Sequence, residues 1–250
     1  MSTDLRGRTA LVTGSTDGIG VAIARGLAAA GARLVVSGRN AQRGEKVAAA
    51  IAESGGAAEF VRADLADSAD VRRLAAEAQR IAGGPLDILV NNAAMLLDPT
   101  PTAEVAEETI DRALAVNVRA VFLLTGLLAP PMADRGRGAI VNLGSISGLF
   151  GSSGSALYST TKAAIHSLTK SWAAEYGPSG VRVNAVAPGP TTTEKVQAMA
   201  DYLAPLIAGL PSRRPSTPEE VAAAVLFLAG DAASNIHGAI LSVDGGRAAI

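Results

Sequence analysis

Tyr158 and Lys162, with Ser145 thirteen residues upstream, place three groups suited to proton transfer at a carbonyl within one short stretch of this 250-residue chain. The run from Ala156 to Leu168 is apolar and small, broken by Tyr158, Lys162 and His166, and it predicts a helix. On a helix, residues four apart stand about 40° apart around the axis and roughly 6 Å along it, on one face. An ammonium held beside a phenol favours the phenolate. At ~4 Å with an effective dielectric of ~20 the attraction is ~4 kcal/mol, up to roughly 3 pKa units. A tyrosine starting near ~10 then serves as a general acid or base near neutrality. Taken alone, a Tyr-x-x-x-Lys spacing more often marks a solvated helix face, so its meaning depends on the rest of the chain.

The elements needed to hold such a group are legible as short apolar runs alternating with longer amphipathic ones. Strand-like segments fall at 9–13, 33–37, 58–62, 86–91, 139–143, 182–186 and 240–243. Helical patterns lie between them, at 18–30, 41–53, 68–82, 103–133, 155–176, 194–208 and 218–228. Gly31 and the pair Gly55-Gly56 stand where helices should end in a left-handed residue. Thr217-Pro218-Glu219-Glu220 supplies an N-cap, a proline at the first helical position and a glutamate at the third. Near-continuous apolar strands separated by helices imply a parallel sheet covered on both faces. The expected fold is therefore α/β: a single domain over 1–250 with a doubly wound parallel sheet.

Composition narrows the chemistry. Hydrophobic residues make up 48% and charged residues 18%, which allows a sizeable core and argues against global disorder. A formal net charge of −1 leaves no electrostatic footprint for nucleic acid or acidic membranes. The absence of cysteine excludes disulfides and thiolate metal sites. Neither histidine has a carboxylate or second histidine at ligand spacing, so no metal site is expected. His166 reads as an interface or core-edge residue. No apolar signal region opens the chain and no apolar stretch reaches ~18 residues, which predicts a soluble cytoplasmic protein.

The first strand runs into Thr13-Gly14-Ser15-Thr16-Asp17-Gly18-Ile19-Gly20, which opens a helix. Glycines there let the backbone turn sharply and bring N–H groups to a pyrophosphate at the helix N-terminus. With Asn91-Asn92-Ala93-Ala94 after the fourth strand, Ser145, Tyr158-x-x-x-Lys162, Pro188-Gly189 and Val243-Asp244-Gly245-Gly246, this chain resembles the short-chain dehydrogenase/reductases over about 240 collinear residues. The resemblance implies a Rossmann-type sheet of seven strands ordered 3-2-1-4-5-6-7, with NAD or NADP bound at the carboxyl ends of the strands.

It also implies roles. Gly14, Ser15, Thr16, Gly18, Ile19 and Gly20 would line the coenzyme phosphates, and Asp64 beside Leu65 would accept a bond from the adenine amino group. Asn91 would tie strands together beside the coenzyme, while Pro188, Gly189, Thr191 and Thr193 would lie near its nicotinamide end. Tyr158 would exchange a proton with the substrate oxygen, and Lys162 would lower the tyrosine pKa and hold the nicotinamide ribose. Ser145 would donate to the substrate oxygen, with Ser147 as a secondary contact. The Asn117 carbonyl would help hold a water connected to Lys162.

Coenzyme preference turns on the end of strand two. Family members using NAD usually place an acidic residue there, and this chain has Gly38 followed by Arg39. A guanidinium at Arg39 suits a 2′-phosphate. Asp17 opposes this, standing where many NADP-users carry a basic residue, and Arg43 reads as a solvated helix face. NADP(H) is favoured over NAD(H).

Substrate selection is expected from Met95, Leu96 and Leu97, from Leu149 and Phe150, and from a lid over 190–214 that includes Met199 and Tyr202. These mostly apolar positions suit a moderately hydrophobic ketone or secondary alcohol, with Arg213 and Arg214 leaving room for an anionic one. The expected function is an NADPH-dependent ketone reductase, with an NAD-dependent secondary-alcohol dehydrogenase or a 3-oxoacyl-carrier-protein reductase as alternatives. The carrier reading is weakened by Pro130 and Ala174 where such relatives place docking arginines. Small residues on the helices at 103–133 and 155–176 suit pairing between copies, so a homotetramer or homodimer is expected.

Overall fold

All seven expected strands form, in one parallel sheet. The computed structural model describes residues 3–194 and 200–250, with the side chains of 200–202 outside that description. The strands are β1 (Thr9–Thr13), β2 (Arg33–Gly38), β3 (Ala57–Arg62), β4 (Ile88–Asn91), β5 (Gly138–Leu143), β6 (Val181–Pro188) and β7 (Ile240–Val243). Their order is β3-β2-β1-β4-β5-β6-β7, with every pair parallel. The order reverses between β1 and β4, which opens a crevice beyond their carboxyl ends.

Alternation along the strands feeds two cores. Leu11 and Val35 face a layer built with α3 (Ser68–Ala82), α5 (Ala120–Asp134) and α6 (Ala156–Tyr176). Ala10, Val12, Leu34 and Val36 face the other, built with α1 (Gly18–Ala29), α2 (Ala41–Glu53) and α8 (Pro218–Ala229). Each fully buried leucine or valine contributes about 1.5–3 kcal/mol. Truncating one, such as the fully buried Leu74, would cost about 2–5 kcal/mol.

The helix expected over 103–133 is not continuous. A single 3-10 turn at Thr102–Glu104 precedes α4 (Glu107–Leu114), a π turn covers Ala115–Arg119, and only then does α5 begin. Ala106 is extended, which separates the first turn from α4. The π turn contains Asn117, whose side chain is held from outside the helix. Taken as one run, Glu107–Asp134 is long and apolar enough to cross a membrane by length and composition, contrary to the expectation from sequence; half of its most apolar window is buried inside the fold. Of the helix expected over 194–208, α7 (Ala200–Gly209) is described.

Buried polar side chains lock α6 to the sheet. Asn91 Nδ2 donates to Asn142 Oδ1 at 2.9 Å, Asn142 Nδ2 donates to Thr169 Oγ1 at 2.9 Å, and that hydroxyl donates to the Ile165 carbonyl at 2.8 Å. Leaving any of these groups unpaired inside the protein would cost about 1–3 kcal/mol. The chain fixes the height of α6 against β4 and β5, and so the height of Tyr158 and Lys162 above the strand ends.

Candidate active site

Helix α6 buries the stripe Thr161, Lys162, Ile165, His166, Thr169, Trp172 and Ala173, at the spacing of one helical face. Lys162 is 4% exposed, and its Nζ donates to the Leu143 carbonyl at 2.8 Å. It lies 5.7 Å from the centre of the Tyr158 ring. Ser145 caps the 3-10 turn Ile146–Gly148, its Oγ accepting from the Ser147 N–H at 3.1 Å. The same serine faces the Tyr158 phenol. Ser145, Tyr158 and Lys162 thus converge from β5 and α6 on one point.

The electrostatics differ from the expectation. Burial pushes the Tyr158 phenol up to about 12, with the Ser145 hydroxyl offsetting the rise in part. Burial likewise brings the Lys162 ammonium down to about 8. Desolvation outweighs the attraction assumed from sequence: the ammonium is bonded to the Leu143 carbonyl and lies 5.7 Å from the centre of the ring. At neutral pH the phenol carries its proton, as a proton donor to a carbonyl requires.

His166 is not at an interface or core edge: it is 5% exposed, one turn beyond Lys162 and beneath the Ser145 loop. A Cβ added at Gly144 would stand 2.2 Å from its Nε2, and one at Gly148 would stand 2.9 Å from its Cε1. Burial, then the Lys162 charge, holds the imidazole below its ordinary pKa, so it stays neutral. Sequence reading missed this contact because it depends on two glycines meeting a residue some twenty positions away.

Asn117 is 2% exposed. Its Oδ1 accepts from the Met95 N–H at 2.7 Å, and its Nδ2 donates to the Met95 carbonyl at 3.1 Å and to Thr161 Oγ1 at 3.2 Å. The side chain therefore joins the π turn to the loop after β4 and to α6. Such turns are frequent at functional sites.

At the opposite side of the crevice, Gly14 (φ 64°) and Gly18 (φ 48°) take left-handed conformations, and a Cβ at Gly20 would stand 2.2 Å from the Gly14 carbonyl oxygen. Helix α1 has no side-chain cap, whereas Asn40, Asp67 and Thr217 cap α2, α3 and α8. Its first turn, which includes Ile19, thus presents backbone N–H groups to an anion, and the loop fits a coenzyme pyrophosphate. Thr193 overlies Gly18, with Cγ2 at 3.2 Å from the place of a Cβ there. Thr191 is buried, its Oγ1 donating to the Gly189 carbonyl at 3.0 Å, and Gly189 N–H donates to the Val243 carbonyl just past Pro188.

Two expected contacts point elsewhere. The Ser15 hydroxyl is fully buried, donating to the Val12 carbonyl and accepting from the Ser37 N–H. Leu65 belongs to the core. Asp64 is half-buried, with Oδ1 accepting from the Ala66 N–H and Oδ2 3.4 Å from Arg112 Nη2. Asn92, which sequence reading did not single out, donates from Nδ2 to the Thr13 carbonyl at 2.9 Å and the Gly14 carbonyl at 3.0 Å. Thr13 Oγ1 in turn accepts from the Asn92 and Ala93 N–H groups. The Asn-Asn pair directly after β4 was the available signal.

At the end of β2, a Cβ on Gly38 would stand 2.6 Å from both Thr16 Cγ2 and Thr16 Oγ1. The Thr16 side chain fills the place that an acidic residue would need. Arg39 is exposed beside it, and Arg43, exposed on α2 as expected, lies 3.7 Å from Asp17 of the loop. Leu96, Leu149 and Phe150, expected to select the substrate, are all exposed, and the Thr100 N–H donates to the Gly154 carbonyl at 2.8 Å, tying their two loops together. Met199 and the Tyr202 side chain lie outside the described residues. Among the described residues no cluster of metal-ligating groups is present.

The family model described as enoyl-(acyl carrier protein) reductase matches residues 14–248. The chain is 42% identical over 244 residues to cis-4-hydroxycyclohexanecarboxylate dehydrogenase of Sinomonas cyclohexanicum, covering 97% of each. It is 42% identical over 255 aligned positions to galactitol 2-dehydrogenase (L-tagatose-forming) of Cereibacter sphaeroides, covering 97% of this chain and 95% of that one. A solved structure from Beutenbergia cavernae with NADP bound at low occupancy is 39% identical, covers 100% of both chains and superposes with a TM-score of 0.94. Matches that run the length of the chain, over the same sheet and strand order, place this protein in the short-chain dehydrogenase/reductase family of NAD(P)-dependent oxidoreductases acting on CH–OH groups.

Proposed function

We propose that this protein is an NADP(H)-dependent oxidoreductase that interconverts a secondary alcohol, most suitably a cyclic one, and its ketone. The observation that carries this reading is the convergence of Ser145, Tyr158 and Lys162 beside a loop built for a pyrophosphate. When bound, the nicotinamide supplies the hydride donor or acceptor. Ser145 Oγ donates to the substrate oxygen and holds it in line with the phenol. Tyr158 Oη gives that oxygen a proton in reduction and takes it back in oxidation. Lys162, with one proton on the Leu143 carbonyl, has two more N–H groups for the coenzyme ribose. Asn117 acts here as a positioning residue through Met95 and Thr161.

The NADP(H) preference is supported by Gly38, which Thr16 keeps free of a side chain, and by Arg39 beside it. The cyclic substrate is supported by the apolar wall of Leu96, Leu149 and Phe150 and by the Sinomonas relative's name. The test is a screen of ketones and secondary alcohols with both coenzymes in parallel, following absorbance of the reduced nicotinamide. Strong preference for the unphosphorylated coenzyme would overturn the reading of Gly38 and Arg39. The carrier-protein reading is disfavoured by Pro130 and Ala174, both exposed and uncharged. Ile110, Leu114 and Phe122 leave an apolar face on α4 and α5 suited to a second copy, which supports a homodimer or homotetramer. Sedimentation showing a stable monomer would count against it.

A further inference from the structure

Arg213 and Arg214, at the end of the segment expected to select substrate, are both already engaged. Arg214 makes a two-bond pair with Glu220, at 2.9 and 2.6 Å, and Arg213 donates to the Ala208 carbonyl. Arg247 differs from both. It follows a turn fixed by the Asp244 carboxylate, which accepts from the Gly246 N–H at 2.9 Å and the Ala248 N–H at 2.8 Å. That turn is pressed against Pro211 and Ser212, since a Cβ at Gly246 would stand 2.7 Å from the proline ring and one at Gly245 would stand 2.2 Å from the serine hydroxyl.

The Arg247 guanidinium carbon then lies 5.4 Å from the centre of the Phe150 ring. Its Nε is buried with no hydrogen-bond partner, and none of the ion pairs among the described residues involves it. Phe150 is five residues past Ser145, in the loop that the Thr100–Gly154 bond joins to Leu96 and its neighbours. A planar cation backed by an aromatic face, partly withdrawn from water and with donors unspent, is suited to a two-bond grip on a carboxylate.

We propose that Arg247 binds a carboxylate carried by the substrate at the end remote from the reacting carbon, with Phe150 as the platform that orients the guanidinium. This rests on the oxidoreductase reading above and narrows its substrate to a hydroxy- or oxo-cycloalkane bearing an acid group.

The experiment compares kcat/KM for cis-4-hydroxycyclohexanecarboxylate and for cyclohexanol, in the unaltered protein and in Arg247→Met and Arg247→Lys. The acid-to-alcohol ratio is expected to fall by about tenfold or more in Arg247→Met, the size of a lost charge-assisted bond, with the change in KM rather than kcat. Arg247→Lys should recover part of it, since a lysine keeps the charge without the fork. Added salt should lower the ratio for the unaltered protein and not for Arg247→Met. An unchanged ratio in Arg247→Met, or turnover of cyclohexanol without turnover of the acid, overturns the assignment of Arg247 while leaving the oxidoreductase reading in place. Failure of the unaltered protein to oxidise any secondary alcohol overturns both.

Discussion

Lys162 Nζ donates to the Leu143 carbonyl at 2.8 Å, joining the middle of α6 to the last residue of β5 two positions before Ser145. The bond places a charge inside the protein where a methylene chain alone would be cheaper to bury. Because the folded-state pKa is about 8 against an ordinary 10.5, the unfolded chain holds this proton more tightly. The destabilisation is fully present below about 8 and fades as the pH rises to 10.5.

Lys162→Met is therefore expected to raise stability by about 1–3 kcal/mol at neutral pH while removing activity. The gain should shrink through the window from about 8 to 10.5. Urea unfolding at neutral pH and at about pH 10 checks both signs. A gain of equal size at the two pH values would show that charge burial is not its cause.

In the proposed reaction Tyr158 begins as a phenol. With burial holding it up to about 12, it is ready to donate to a ketone at neutral pH, whereas alcohol oxidation needs its proton removed. The kcat/KM of oxidation should rise with pH from neutral into the alkaline range, and that of reduction should not. Tyr158→Phe should lower both directions by about 10²–10⁴-fold, with coenzyme affinity little changed. Steady-state pH profiles and coenzyme fluorescence titration measure these effects, and full turnover in Tyr158→Phe would dismiss its assigned role.

Arg39→Ala should reduce the preference for the phosphorylated coenzyme by about tenfold or more, the size of a lost bond to a charged group. Gly38→Asp alone should weaken both coenzymes, since its Cβ meets Thr16 at 2.6 Å. Gly38→Asp combined with Thr16→Ala removes the two closest contacts and should move preference toward the unphosphorylated coenzyme. Paired kcat/KM measurements decide, and a preference unmoved by either change would refute the assignment.

Gly144→Ala should cost about 1–3 kcal/mol and lower kcat, because the new methyl would stand 2.2 Å from His166 Nε2 and displace Ser145. Adding His166→Ala should recover part of both losses. A double-mutant cycle on stability and kcat reads the coupling directly. Additive losses would mean the serine loop does not rest on the imidazole.

The sheet was legible because its strands are near-continuous apolar runs between well-punctuated helices. The capping box at Thr217–Glu220 and the left-handed Gly31 and Gly55 appear as their spacing predicts. The π turn around Asn117 was not legible, since its hydrophobic pattern is the same as that of an unbroken helix. It exists because Asn117 is bonded to Met95 and Thr161, partners distant in sequence. The Tyr158–Lys162 spacing gave the face on which both residues lie. It could not give the pKa directions, which are set by burial and by the Leu143 carbonyl. His166 and Asn92 were under-read for the same reason: their contacts are long-range.

The Asn92 amide, bonded to Thr13 and Gly14 across the reversal point of the sheet, bears on how the protein meets heat. The loop proposed to seat the pyrophosphate is held by bonds within the protein itself, so a coenzyme would enter a seat already shaped, with little ordering to offset. Whatever loosens the end of β4 also loosens that seat, and bound coenzyme in turn holds the strand end in place. Thermal inactivation and thermal unfolding are therefore expected to coincide, with added coenzyme raising the temperature of both.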